Sequence, residues 1–180
     1  RVPENSTARY IEWANQITER QLLLHRFREC TLLMPTWFMS RADFEAAGAF
    51  REEPCEDLLL LHSHVIRGGG LVRAGEAPLV EYRYHARAAT RSIPRQLILR
   101  HRVRLLEQQV LSPAVRCGCW GTFSIWGAGR DGRAFYRALS PEARGRCVAF
   151  CDVDPRKVGG HVRTSVGGEQ WQVPVLHFEE

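Results

Sequence analysis

A short apolar segment, Phe123–Trp126, runs directly into a glycine-rich loop, and this pairing constrains the fold more than any other feature. A helical pattern follows the loop, and a second apolar segment, Cys147–Cys151, then ends at Asp152. The order of strand, glycine loop, helix and strand is typical of a βαβ unit with parallel strands. We therefore predict a small Rossmann-like βαβ unit in residues 112–180.

The loop contains Gly127, Gly129 and Gly132, which would let backbone N–H groups approach a phosphate at the helix N-terminus. Asp152 lies close to the spacing expected of a carboxylate that binds a ribose hydroxyl. These four residues are candidate nucleotide contacts. A turn used for packing alone is the alternative, because the helix is short and a complete dinucleotide site has more strands. Both interpretations stay open.

Residues 1–111 contain several helix signals and two short strand patterns. Thr18 and Ser40 each begin a capping-box pattern, and Ser112-Pro113 is expected to end the last helix. The predicted elements include a helix from Thr18, a helix from Ser40 to Gly48, a helix over 56–67, strands over 71–73 and 79–85, and a connecting helix over 92–111. We place the domain boundary between residues 111 and 112.

Glu56 and Asp57 stand where a loop enters the 56–67 helix. A carboxylate at this position lies near the positive end of the helix, and it is suited to take a proton from a hydroxyl. Acidic residues in a first turn also favour a helix whatever its function, so capping is the competing interpretation.

Three aromatic or basic side chains have two readings each. Trp37 is suited to stacking on a sugar ring, although a core tryptophan has the same sequence appearance. Arg83 can bind phosphate oxygens and His85 can ligate a metal. Both lie in the segment Tyr82-Arg83-Tyr84-His85, whose alternation would also place two tyrosines inward and two basic groups in water.

Residues 34–90 resemble the acceptor-side half of the inverting family-two glycosyltransferases, which have the GT-A fold. The resemblance is carried by Pro35-Thr36-Trp37, Glu56-Asp57 and Tyr82-Arg83-Tyr84-His85, and it is greatest toward the β-1,3-N-acetylglucosaminyltransferase-like group. It implies an α/β fold: the C-terminal half of a GT-A-like domain, followed by the Rossmann-like unit.

The resemblance also implies a reaction and a role for each matching residue. A sugar, expected to be N-acetylglucosamine, passes with inversion from a UDP-sugar to a hydroxyl of a carbohydrate or glycoconjugate acceptor. Asp57 matches the general base and Glu56 the residue that orients it. Trp37 and Arg83 match substrate contacts, and His85 matches a ligand of a divalent metal, manganese or magnesium. The competing function is a non-catalytic nucleotide-binding or regulatory module that uses the Gly127 loop.

This family also needs a donor-binding half with a strand-borne Asp-x-Asp motif, and none precedes Asp57. The chain begins at Arg1. We therefore expect this chain to lack the donor half and, by itself, to have no transferase activity.

Charge and cysteine content limit the possible partners. The net charge of +5 comes almost wholly from arginines interspersed with acids, and without a nucleic-acid motif it indicates a solvated surface rather than nucleic-acid binding. The six cysteines form neither a disulfide framework nor a zinc pattern, so reduced thiols are expected. Reduced thiols and the absence of a membrane-length apolar run favour the cytoplasm, unless a signal or anchor lies upstream.

Overall fold

The computed structural model describes residues 8–28, 31–75, 77–81 and 92–179. The chain is mixed α/β, and it divides into two compact units, residues 1–102 and 103–180. The boundary expected from the sequence lies further along the same helical segment. Within the described ranges, no helix is long and apolar enough to cross a membrane.

Helices make up the regular structure described in the first unit. Two of them begin at the predicted caps: the Thr18 side chain accepts the Gln21 N–H while the Gln21 side chain accepts the Thr18 N–H, and Ser40 accepts the Asp43 N–H at 3.0 Å. These contacts confirm both helix starts. The helices are α1 (Ala8–Gln16), α2 (Glu19–Leu24), α3 (Arg41–Ala46), α4 (Glu56–Ile66) and α5 (Arg95–Leu106), the last of which crosses the division between the units.

The predicted strand over residues 71–73 is wrong, because these residues are irregular. Arg73 explains the difference. Its backbone N–H donates to the Glu19 carboxylate at 3.0 Å, and its guanidinium donates to the Ala14 and Ile17 carbonyls at 3.3 and 2.9 Å. The segment is thus tied to the end of α1 and the start of α2 by side-chain contacts instead of a strand ladder. Residues 79–81 are also irregular, and 82–85 lie outside the described residues.

The predicted helix end at Ser112-Pro113 is also wrong. A π-helical turn, Glu107–Leu111, follows α5, and α6 then runs over Ser112–Arg116. Pro113 is the second residue of α6. Proline interrupts the hydrogen-bond ladder of a helix without having to end it, and the π-helical turn before α6 marks the local departure from α-helical spacing.

The second unit contains a four-stranded sheet with the strand order β1-β2-β4-β3. β1 pairs parallel with β2, β2 pairs parallel with β4, and β3 pairs antiparallel with β4. The fully buried Tyr136 and Phe150 rings pack together at the core with their centroids 5.7 Å apart. The elements are β1 (Phe123–Trp126), α7 (Arg130–Ala138), α8 (Pro141–Gly145), β2 (Cys147–Asp152), β3 (His161–Val166) and β4 (Glu169–His177).

The predicted strands around 123–126 and 147–151 are confirmed as β1 and β2. Because these strands are parallel neighbours, their C-terminal ends meet at one edge of the sheet. The loop that follows β1 and the residue that ends β2 are therefore brought together, and they form the first candidate site.

Candidate functional site

The glycine loop after β1 needs its glycines for two separate geometric reasons. Gly127 has φ +92°, a conformation that favours glycine, and its N–H donates to the Cys151 carbonyl at 2.7 Å. A Cβ placed on Gly132 would lie 1.9 Å from the Gly127 carbonyl oxygen. Gly129 is the N-cap residue of α7. The loop is therefore packed tightly between the end of β1 and the first turn of α7.

Asp152, at the end of β2, is 7% exposed and anchors this loop. Its Oδ2 atom accepts the Ala128 N–H and the Lys157 ammonium, both at 2.9 Å, and its Oδ1 atom accepts the Asp154 N–H at 2.9 Å. The Lys157 hydrogen bond, followed by the two backbone N–H groups, holds the pKa of this carboxyl well below its usual range. Asp152 is thus a carboxylate with three internal donors.

Asp154 and Lys157 belong to the same cluster, and sequence reasoning missed them. The Asp154 carboxylate pairs with Arg156 at 3.1 Å and lies 3.8 Å from the Lys157 ammonium. The pattern that would have indicated the cluster is Asp-x-Asp directly after a buried strand, with a lysine three residues further on. In this arrangement both carboxylates have cationic side-chain partners.

The four residues predicted as nucleotide contacts lie together in the structure: Gly127, Gly129, Gly132 and Asp152. The first hydrogen bond of α7 runs from the Arg133 N–H to the Gly129 carbonyl, so the amides before Arg133 precede the helical ladder. Such amides can bind an anion. A ribose contact from Asp152 stays a prediction.

The second candidate site is a cavity of about 270 Å³ in the first unit. Its walls come from Leu32, from residues 36–39, from Asp43 on α3, from α4 and from residues 70–72. A volume of this size approaches the lower limit of small-molecule pockets and is large enough for a sugar ring. Trp37, the predicted sugar contact, is half-buried in this wall, and Phe38 beside it is fully exposed.

Two ring side chains contribute polar atoms to the cavity wall, beside Thr36 and Asp43. The Trp37 Nε1 atom is shielded from solvent and has no hydrogen-bond partner in the structure. The His64 Nε2 atom lies 3.0 Å from the Gly70 carbonyl oxygen. Buried indole N–H groups usually have a hydrogen-bond partner. The Trp37 N–H is therefore a donor without an acceptor in a residue of the cavity wall.

Glu56 and Asp57 occupy the first turn of α4, but neither is its N-cap residue. The N-cap is Cys55, which has φ +69° and contributes no side-chain cap. A non-glycine residue in this left-handed conformation is strained, and such strain is often found at functional sites. The Asp57 Oδ1 atom accepts the Leu58 N–H at 2.7 Å. The Asp57 carboxylate thus satisfies a first-turn N–H of α4, as a capping side chain does, and both charges favour the helix N-terminus, so capping and a role as a base both stay open.

Neither Asp57 nor Glu56 lines the cavity, but helical spacing relates Asp57 to the α4 residues that do. The residues of α4 that form the wall are Leu60, Leu61 and His64, which follow Asp57 by three, four and seven positions. Residues with this spacing share one helix face. Asp57 is thus one turn before the cavity wall, on the same stripe as its α4 lining.

Arg83 and His85 lie outside the described residues. In the ranges that the structure does describe, no group of three or more His, Cys, Asp or Glu side chains is placed to hold a metal ion. The described residues thus do not fit the divalent metal that the resemblance implies, and no chemical step below is routed through it.

His62, on α4, is a buried histidine at 6% exposure whose Nε2 atom has no hydrogen-bond partner. Burial lowers its pKa to about 4, and the positive charges of His101, Arg102 and Arg26 add to this effect. His62 is therefore neutral in the folded protein near pH 7, and it is not among the residues that line the cavity.

The expectation of reduced cysteines is wrong for one pair, because Cys117 and Cys119 form a disulfide. Two cysteines separated by one residue do not match any disulfide framework, so the sequence did not indicate that this pair is bonded. Among the other described cysteines, Cys55 and Cys147 are buried thiols and Cys151 is partly buried. Burial raises the pKa of Cys147 to about 11.

No family model matches this chain. No solved structure matches it either.

Proposed function

We propose that this chain is the acceptor side of an inverting sugar transferase, which passes a sugar from a UDP-sugar to a hydroxyl of a carbohydrate acceptor. The observation that carries the proposal is the cavity at Trp37, whose α4 wall continues the stripe that begins at Asp57. A sugar stacked on Trp37 would lie along this stripe. N-acetylglucosamine is the expected donor sugar, from the resemblance alone.

The proposed chemistry needs one carboxylate on the acceptor side. Asp57 accepts the proton of the acceptor hydroxyl while that oxygen attacks the anomeric carbon, and the bond from this carbon to the nucleotide diphosphate breaks. Glu56, its neighbour in the first turn of α4, orients the base. Arg83 has the predicted role of binding the diphosphate through its guanidinium group.

The test of the acceptor site is a binding measurement on this chain with a panel of methyl glycosides, by ligand-observed NMR. Trp37→Ala should weaken the best ligand by roughly fivefold, because stacking on an aromatic ring contributes about 1 kcal/mol. Trp120→Ala, which removes an exposed ring in the second unit, is the matched control. Equal affinities in all three proteins would contradict a sugar site at Trp37.

The test of the base is Asp57→Asn in a form of the protein that shows measurable transfer. We expect kcat to fall by about a hundredfold or more with sugar-nucleotide affinity nearly unchanged, because the base acts only in the transition state. Asp43→Asn is a suitable control, because Asp43 also lines the cavity but lies on α3. Turnover retained in Asp57→Asn would remove Asp57 from this role.

A second candidate function is nucleotide binding by the Gly127 loop, in a catalytic or a regulatory setting. It is favoured by the assembly of the three glycines and Asp152 at one edge of the parallel strands. The amides of residues 130–132 should shift on addition of UDP or UDP-N-acetylglucosamine if this edge binds phosphate. Nucleotide-induced shifts confined to this loop, with no glycoside binding at Trp37, would favour the regulatory module over the transferase.

A further inference from the structure

We propose that Cys117 and Cys119 form a reversible dithiol–disulfide site that exchanges with small thiols of the glutathione class. Their sulfur atoms are bonded to each other, and both residues are exposed. By contrast, the thiols of Cys55 and Cys147 are buried and Cys151 is half-buried. A thiol reagent in solution therefore meets this pair before the other described cysteines.

The backbone brings the two cysteines together without help from the sulfur–sulfur bond. They flank Gly118, which has φ +71°, and the amides of Cys119 and Trp120 both donate to the Ala114 carbonyl, at 2.9 and 3.2 Å. This is a helix C-terminal turn with glycine in the left-handed position. The Cα atoms of the two cysteines are 5.4 Å apart, within the range of disulfides.

A purely structural role explains this cross-link poorly. A disulfide stabilises a protein mainly by constraining the unfolded chain, and the effect grows with the length of the closed loop. Here the bond joins residues only two positions apart, so it constrains very little. An exposed disulfide is also open to attack by thiols. A disulfide that is exposed and closes so short a loop is better suited to reversible thiol exchange.

The exchange proceeds in two balanced steps. The thiolate of one cysteine attacks glutathione disulfide, which forms a mixed disulfide and releases one glutathione. The thiolate of the other cysteine then attacks the protein sulfur of that mixed disulfide and releases a second glutathione. The protein loses two electrons and two protons, and glutathione disulfide gains both to become two glutathione molecules.

The pair directly precedes the segment that leads into the sheet. Trp120 follows the pair directly, and with residues 121–123 it lines a cavity of about 40 Å³ against Glu142 and Arg146 near α8. The ring of Trp120 is half-exposed. The sulfur atoms lie next to Trp120 in the chain, so Trp120 should report the redox state of the pair.

The experiment is a redox titration of the whole chain in glutathione buffers of graded ratio, followed by acid quench, alkylation and peptide mass analysis. Cys117 and Cys119 should lose alkylation together in one transition, by roughly tenfold or more. Each single variant, Cys117→Ser or Cys119→Ser, should instead accumulate a glutathione adduct on the remaining cysteine. Cys151→Ser is the control and should leave the transition unchanged.

Three results would overturn the proposal: alkylation that is independent of the glutathione ratio, protection of the two cysteines in separate transitions, or a disulfide-linked dimer. Trp120 fluorescence, compared with Trp120→Phe, supplies the second readout. A signal that stays constant through the transition would overturn the link between the pair and residues 120–123.

Discussion

Among glycine-to-alanine substitutions in the glycine loop of the second unit, Gly132→Ala should be the most destabilising. The new Cβ would lie 1.9 Å from the Gly127 carbonyl oxygen, 3.1 Å from its carbonyl carbon and 3.5 Å from Ile125 Cγ2. Van der Waals contact between heavy atoms is about 3.5 Å. The carbonyl or the first turn of α7 must therefore move by more than about 1 Å.

The size of the effect follows from two opposing contributions. Glycine to alanine inside a helix ordinarily stabilises by about 1 kcal/mol. Overpacking costs about 1–3 kcal/mol, and moving the loop also disturbs the Gly127–Cys151 and Ala128–Asp152 hydrogen bonds, each contributing about 1 kcal/mol. We expect a net loss of about 1–3 kcal/mol in the free energy of unfolding of the second unit.

The assay is urea-induced unfolding, read by amide hydrogen exchange in α7 and β2 so that the second unit is followed by itself. The matched control is Gly145→Ala at the end of α8, where an added Cβ meets no atom within 4 Å. This control should be neutral or slightly stabilising. If Gly132→Ala proved as stable as Gly145→Ala, the tight approach of α7 to the Gly127 carbonyl would be refuted.

Two further substitutions test buried titratable groups. Asp152→Asn should lower the stability of the second unit near pH 7, because the charge that accepts the Lys157 ammonium and the Ala128 N–H is removed. Since the pKa of Asp152 is lowered by folding, its contribution is present above the unfolded pKa and is lost as pH falls, so hydrogen exchange in β2 should show a flatter acid profile in the variant. His62, with a folded pKa of about 4, should cause a loss of about 3 kcal/mol as pH falls from 7 toward 4. His62→Gln should flatten that profile in α4, whereas the exposed control His161→Gln should leave it unchanged; a steep profile in both would refute the assignment.

The features that the sequence predicted correctly are those encoded in a few neighbouring residues. The caps at Thr18 and Ser40 formed because each side chain needs only a backbone N–H three positions further on. The strand, glycine loop and strand around Gly127 were equally local. The meeting of that loop with Asp152 followed from the parallel pairing rule.

The features that the sequence analysis did not predict depend on partners far away in the chain or on a pair of turn glycines that was not recognised. Residues 71–73 are irregular because Arg73 binds carbonyls of Ala14 and Ile17, more than fifty positions earlier in the chain. The hairpin of β3 and β4 was missed, although Gly167-Gly168, with φ +61° and +86°, is the type of pair that a tight hairpin turn prefers.

Asp152 allows the glycine loop to be ordered before any ligand arrives. An ionised carboxylate has about four acceptor positions, and three are already used by Ala128, Asp154 and Lys157. A nucleotide that bound here would meet a loop already held in place, so little ordering would oppose binding. The amides of residues 130–132 are further donors at this edge, because they precede the first hydrogen bond of α7. Nucleotide binding should therefore shift these amides strongly and the Ala128 amide little, whereas a loop used only for packing should show neither shift.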